Sequence, residues 1–268
     1  MILLVEKPFD TGEVVLNYAE GPDNGPPILL IHGFTRWWKD FQSIIPELSK
    51  NYHVFALDLR GHGKSNRVKG HYTLRDYSRD ITVLLENLIQ RPAILFGHSL
   101  GGWISLMVAS KEPEIAGALI IGDSPLNLKH FNEGLKAYSE WWTTRREYSM
   151  KTREELLREL DAESADRLSQ VDPDVFRYWI EGCEDVSAFE KLFEGYNISE
   201  LLSRIDCPVL LLQGNDQILP NKDVEYAKSV LPDIVHVYFE DKGHYLGLDT
   251  GDTVELLRAL TSFLESLR

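Results

Sequence analysis

Three side-chain types in this chain sit where acyl-transfer chemistry would need them. The first is Ser99, in Leu95-Phe96-Gly97-His98-Ser99-Leu100-Gly101-Gly102-Trp103-Ile104. An apolar run stops at Gly97, and a helical pattern starts behind Gly101 and Gly102. Residues 97–101 match G-x-S-x-G, a nucleophile elbow when a buried strand precedes it and a helix follows. The glycines then have a reason. The serine must sit on a sharp, strained turn, and a side chain at 97 or 101 would collide with the neighbouring strand or helix. The helix N-terminus behind the hydroxyl favours developing negative charge. The competing reading is a glycine-rich turn with an idle serine.

A serine hydroxyl is a poor nucleophile until a base takes its proton. Of eight histidines, His244 follows the last apolar run directly, in Asp241-Lys242-Gly243-His244-Tyr245. Loops at the carboxyl ends of parallel strands share one rim, so His244 is the expected base. A carboxylate must hold its tautomer. Two follow strands on that rim: Asp216, in Gln213-Gly214-Asn215-Asp216, and Asp123, in Gly122-Asp123-Ser124-Pro125. Asp216 is the expected acid. It completes the chain order Ser…Asp…His, and a turn flanked by Gly214 and Pro220 can aim it. Asp123 is read as capping the turn that follows it. The expected oxyanion donors are the backbone N–H groups of Leu100, after the nucleophile, and Phe34, in His32-Gly33-Phe34.

The elements that must position these groups are visible as a rhythm. Ile28–Ile31, His53–Leu57, Ala93–Phe96, Ala118–Ile121 and Val209–Gln213 are short continuous apolar runs, as expected of strands buried on both faces. Amphipathic stretches alternate with them, one opening at an N-cap candidate, Thr73. This predicts an α/β fold: a mostly parallel, eight-stranded sheet with helices on both faces. The rhythm breaks between residues 126 and 200, where charges are frequent, no apolar strand appears and aromatic residues punctuate a helical pattern. The expected organisation is a core from 1–125 and 201–268 with a helical insertion at 126–200. Trp141, Trp142 and Trp179 in the insertion, with Trp37 and Trp103 near the oxyanion elements, are candidates to line an apolar pocket.

Composition removes other function classes. Apolar residues make up 43% and charged residues 26%, ordinary for a globular protein. With 28 basic and 42 acidic residues, the net charge is -14, which repels phosphate backbones and argues against nucleic-acid binding. No run reaches the roughly 20 apolar residues of a membrane span. The N-terminal apolar run is short and lacks signal-peptide features. Cys183 and Cys207 fit a reducing cytoplasm and show no metal-ligand spacing. Gly63-Lys64-Ser65 ends like a phosphate-binding loop, but Asp58 stands where that loop needs its first glycine, so Arg60-Gly61-His62-Gly63 is read as a tight structural turn.

The motifs taken together resemble the α/β-hydrolase fold superfamily. The shared landmarks are HGF at 32–34, DLRGHGKS at 58–65, GHSLGG at 97–102, GNDQILP at 214–220 and GH at 243–244. The resemblance implies a serine triad and makes the insertion a cap that roofs the site. Serine at 99 disfavours the aspartate-nucleophile branches. Some branches carry the acid where Asp123 stands, which keeps that position open. The expectation is a cytoplasmic, carboxylesterase-like serine hydrolase that cleaves a small, largely apolar carboxylic ester through an acyl-enzyme, with no metal or organic cofactor. The same triad would serve carbon–carbon bond hydrolases, lactonases, amidases and perhydrolases. A small-molecule receptor on the same fold is the reading from a different class.

Overall fold

The computed structural model describes residues 4–128, 131, 138–216 and 218–267. Eight strands form one sheet: β1 (Val5–Asp10), β2 (Val15–Glu20), β3 (Pro27–Ile31), β4 (His53–Leu57), β5 (Ala93–His98), β6 (Ala116–Gly122), β7 (Val209–Gln213) and β8 (Ile234–Tyr238). Their order is β1-β2-β4-β3-β5-β6-β7-β8. The β1–β2 and β2–β4 pairs are antiparallel and the rest parallel. Strands β3, β5 and β7 are buried along their whole length, which is why they read as continuous apolar runs. The expected start of the first strand, Met1–Leu3, lies outside the described residues.

The chain runs from β3 outward to β4 and returns to β5 on the other side of β3. The strand order therefore reverses between β3 and β5, the crevice where open parallel sheets place ligands. In register, Ile31 lies opposite Gly97, His98 opposite Gly122, and Gly122 opposite Leu212. The carboxyl ends of β3, β5, β6 and β7 are thus level, and their loops meet.

Helices cover both faces. On one side lie α1 (Ile45–Leu48) and the C-terminal helix (Val254–Ser266), packed on Phe41, Phe96, Leu210 and Leu260 in one buried cluster. On the other lie α2 (Leu74–Leu84) and α3 (Leu100–Lys111). Thr73 does cap α2, in a reciprocal capping box with Asp76. The amphipathic stretch that opens at Thr73 changes its hydrogen bonding at Leu85–Ile89, a π turn that ends at left-handed Gln90. Between β6 and β7 come α4 (Ser139–Ser149), α5 (Arg153–Leu156), α6 (Ala162–Ser169), α7 (Arg177–Glu184), α8 (Val186–Phe193) and α9 (Ile198–Leu202), the inserted helical region. Trp142, Trp179, Phe189 and Phe193 belong to the same buried cluster as Leu29, Leu95 and Trp103, so insertion and sheet share one apolar core. After β7 come α10 (Asn221–Val230), β8 and the C-terminal helix, α11.

The Arg60-Gly61-His62-Gly63 turn serves Asp58. A Cβ at Gly63 would lie 2.2 Å from that carboxyl group, which accepts from Trp38 N–H, Lys64 N–H and Asn17 Nδ2. It leaves the loop no phosphate cradle.

Candidate active site

Ser99 stands between β5 and α3 with φ 53° and ψ −117°, a conformation that costs a non-glycine residue energy and is kept only where the surroundings impose it. The glycines around it are obligatory. A Cβ at Gly97 would stand 2.0 Å from the Gly101 carbonyl oxygen, and one at Gly101 2.1 Å from that of Ile31. Gly102 is the same case: its Cβ would fall 2.0 Å from Ser124 Oγ. The Ser99 N–H donates to the Gly122 carbonyl at 2.8 Å and the Ser124 hydroxyl to the Ser99 carbonyl at 2.8 Å. The strained turn is clamped from the β6 loop.

The Ser99 hydroxyl donates to His244 Nε2 at 3.0 Å. His244 Nδ1–H donates to Asp123 Oδ2 at 2.7 Å. A carboxylate on Nδ1 fixes the tautomer that leaves Nε2 as a base toward the serine. Asp123 is fully buried and stands in a left-handed conformation, φ 42°. Its other oxygen, Oδ1, accepts the Gly214 N–H at 2.8 Å.

The geometry does not join the expected acid, Asp216, to the imidazole. Asp216 is exposed, and its carboxylate accepts the His244 backbone N–H at 2.5 Å, not the ring. The reason is the sheet order. β6 lies between β5 and β7, so the residue after Gly122 emerges beside the elbow, whereas Asp216 is one strand further away. The Asp123 carboxylate, anticipated as a turn cap, accepts from His244 Nδ1–H and Gly214 N–H. The Asp123, Asp216 and His244 ligand atoms lie within 4.8 Å of one another, with the Asp123 carboxylate on the imidazole and the Asp216 carboxylate on the backbone N–H.

His98, one residue before the nucleophile, was passed over in the sequence because it should face away from Ser99. Its Nε2–H donates to the His244 carbonyl at 2.7 Å, and the two rings lie 4.8 Å apart. Complete burial and the neighbouring His244 hold His98 neutral, well below the ordinary histidine range. His244 is thus held at ring, N–H and C=O by three residues from three loops. Neighbouring loops are fixed by neutral histidines too. His32 Nε2 accepts the Leu59 N–H at 2.9 Å, and burial pushes His62 down to about 4.

The two expected oxyanion donors are backbone groups on either side of the elbow. Leu100 is the first residue of α3, whose N–H has no intrahelical partner. Phe34 lines the cavity above Ser99, and its N–H donates to no backbone carbonyl among the described residues. A Cβ on Gly33 would lie 3.1 Å from Ser99 Cβ, so glycine lets this loop close on the elbow.

Above Ser99 and His244 is a cavity of about 310 Å³. Trp103, Trp141, Trp142 and Trp179 line it, as expected, with Phe131 and Tyr245. Trp179 packs 4.6 Å from Phe34 and 4.7 Å from Trp142, centroid to centroid. Trp37 does not line it. The chain turns after Gly33 through Thr35 at φ 60°, and the Trp37 ring ends up buried elsewhere, under the Lys39 ammonium at 4.4 Å. The sequence reading missed Arg36, which also lines the cavity, 6% exposed and ion-paired with Asp40. Its only signal was its place two residues after Phe34.

The chain is similar to several known proteins. A 2-(acetamidomethylene)succinate hydrolase from Mesorhizobium japonicum is 34% identical over 119 residues, 44% of this chain and 42% of that protein. The chain thus matches under half the length of that relative. An (E)-2-((N-methylformamido)methylene)succinate hydrolase from Acinetobacter baylyi is 24% identical over 258 residues, covering 90% of this chain and 91% of its own. Among solved structures, an N-acyl homoserine lactonase superposes with a TM-score of 0.77 at 20% identity, over 99% of this chain and 98% of its own. The family model for the alpha/beta hydrolase fold matches residues 26–250, and the chain belongs to that family.

Proposed function

We propose that the protein is a serine hydrolase that cleaves a small carbonyl compound at a C–N, C–C or lactone bond through an acyl-enzyme, with Ser99, His244 and Asp123 as its triad. The observation that carries this is the hydrogen-bonded series Ser99–His244–Asp123 beneath the aromatic cavity. Ser99 Oγ attacks the carbonyl carbon as its proton passes to Nε2. Asp123 stabilises the imidazolium through Nδ1–H. The Leu100 and Phe34 N–H groups receive the oxyanion, each worth about 3–4 kcal/mol of barrier. The tetrahedral intermediate collapses as Nε2–H protonates the departing group. Water, deprotonated by Nε2, then releases the acid.

The choice of bond rests on the relatives. Two curated ones act on acylamino-methylene succinates and one structural neighbour is a lactonase, which favours these bonds over the simple apolar ester expected at first. Among the described residues no helix is long and apolar enough to cross a membrane. The two cysteines form no disulfide, in keeping with the cytoplasmic placement we propose.

A fluorophosphonate probe tests the nucleophile. One adduct, at Ser99, is expected, and none with Ser99→Ala. Folded protein that takes up no adduct would be a binding protein instead. A panel of N-acyl enamides, lactones, vinylogous diketones and p-nitrophenyl esters of graded length tests the bond. Faster turnover of every simple ester than of the other three classes would return the reading to a carboxylesterase.

A further inference from the structure

Next to the catalytic cavity lies a second one of about 430 Å³, and Arg36, Trp141 and Tyr245 line both. Arg167, on α6, also lines the second cavity. Its side chain enters the protein rather than solvent: the residue is 7% exposed, and Arg36 is 6% exposed. A buried guanidinium ordinarily has a carboxylate on it. Arg36 has one, since its Nε donates to Asp40 Oδ2. Arg167 has none within ion-pair distance among the described residues. Its Nη1 donates to the Thr35 carbonyl at 3.4 Å and its Nη2 to the Ser164 hydroxyl at 3.5 Å, both at the limit of a hydrogen bond, and its Nε donates to nothing among the described residues. Two buried guanidinium groups thus share one buried carboxylate, with the fork of Arg167 largely unspent. Burial and the facing Arg36 pull Arg167 down to about 10 from its ordinary value.

The acids near this cavity do not supply the missing partner. Asp161, Glu163 and Asp249 line it but are exposed, and Asp161 Oδ1 already accepts the Ser164 N–H as the cap of α6. An acidic rim repels a doubly charged group more than a singly charged one. The wall shared with the catalytic cavity is close to the chemistry: Tyr245 follows His244 in the chain, and the Arg36 guanidinium lies 4.6 Å from the Tyr245 ring centroid.

We propose that Arg167, with Arg36 beside it, forms a carboxylate-binding subsite, and that the substrate cleaved at Ser99 carries a carboxylate that reaches it past Trp141 and Tyr245. This rests on the reading of Ser99 as the nucleophile. The planar fork of a guanidinium matches a carboxylate in two parallel bonds. Arg167 is here a binding residue rather than one that touches the scissile bond.

Three esters test it: neutral p-nitrophenyl butyrate, the mono-p-nitrophenyl ester of glutarate with its charge on the acyl side, and the butyryl ester of 4-hydroxybenzoate with its charge on the leaving side. The wild-type protein should favour one charged ester over the neutral one by about 10- to 100-fold in kcat/KM, mostly through KM. Arg167→Met should collapse that ratio. Arg167→Lys, which keeps the charge but not the fork, should recover only part of it and serves if the methionine variant fails to fold. No preference for either charged ester in the wild type, or a ratio that survives both substitutions, overturns the subsite. A binding measurement separates it from the chemistry. Ser99→Ala protein should take up glutaramate, with its single carboxylate, but not glutaramide in a calorimetric titration, and Arg167→Met should abolish the uptake. If no ester is turned over and no fluorophosphonate adduct forms, the nucleophile assignment fails, and the titration still decides the subsite.

Discussion

Two acidic loops reach the same histidine and do different things to it. The loop after β6 delivers Asp123, fully buried, to the imidazole Nδ1. The loop after β7 delivers Asp216, exposed, to the backbone N–H of the same residue. One contact sets the tautomer and faces the charge that forms on the ring. The other orients the peptide that carries the ring. The two loops are also tied together, because Asp123 Oδ1 accepts the Gly214 N–H at the start of the β7 loop, and that loop is tied to the His244 loop by Asn215 N–H donating to Lys242 C=O. Proximity of a carboxylate to a catalytic histidine is therefore not enough to assign it; the atom it touches decides the role.

The sharpest way to break this contrast is to neutralise each acid in turn. Asp123→Asn should cut kcat on the order of 10⁴-fold, through the wrong tautomer and the lost counter-charge. Steady-state rates on the best substrate of the panel measure it, and a loss confined to Asp216→Asn would exchange the two roles. Acid addresses the neutral histidines around both loops. In the folded protein His62 titrates near about 4 instead of 6.5, and His32 and His98 well below 6.5. The unfolded chain accepts these protons first, so stability is complete above about pH 6.5 and falls as the pH drops toward 4. His62 alone accounts for about 3 kcal/mol. Denaturant unfolding at pH 7.5 and pH 4.5 should show the loss, and equal midpoints would contradict it.

The link between the loops can be strained without touching either acid. A Cβ on Gly214 would lie 2.7 Å from the Gly243 carbonyl oxygen, so Gly214→Ala should destabilise by about 1–3 kcal/mol. Thermal unfolding reads this, together with a fall in kcat as the turn before His244 shifts. The smallest effect expected is that of Asp216→Asn, which can still accept the His244 N–H through its amide oxygen. It should lower kcat by about tenfold at most, with the pH profile of kcat unmoved.

The parts of the fold legible in the sequence were those where one residue type has one physical use. Ile28–Ile31 and Val209–Gln213 read as buried strands because both faces are covered. Gly97 and Gly101 announced a turn that no side chain could enter. His244 followed from its place just after the last strand. The acid was not legible in the same way. Asp123 and Asp216 both follow strands, and only the spatial order, with β6 beside β5, ranks them. Chain order favoured Asp216, and spatial order favours Asp123. Trp37 and Trp103 likewise look alike from their positions near glycine turns; the left-handed Thr35 sends the first away, while Trp103, on α3, faces the cavity. Arg36 and Arg167 come together only in three dimensions, 131 positions apart by their numbers, 167 minus 36.

Trp179 touches Phe34 of the β3 loop and stacks 6.2 Å from Trp103 of α3, so the roof of the site is cemented to its floor. Swinging the insertion outward as a rigid door would tear open a continuous apolar interior and wet several indoles at once. A molecule small enough to enter when single rings at the mouth rotate would leave that interior whole.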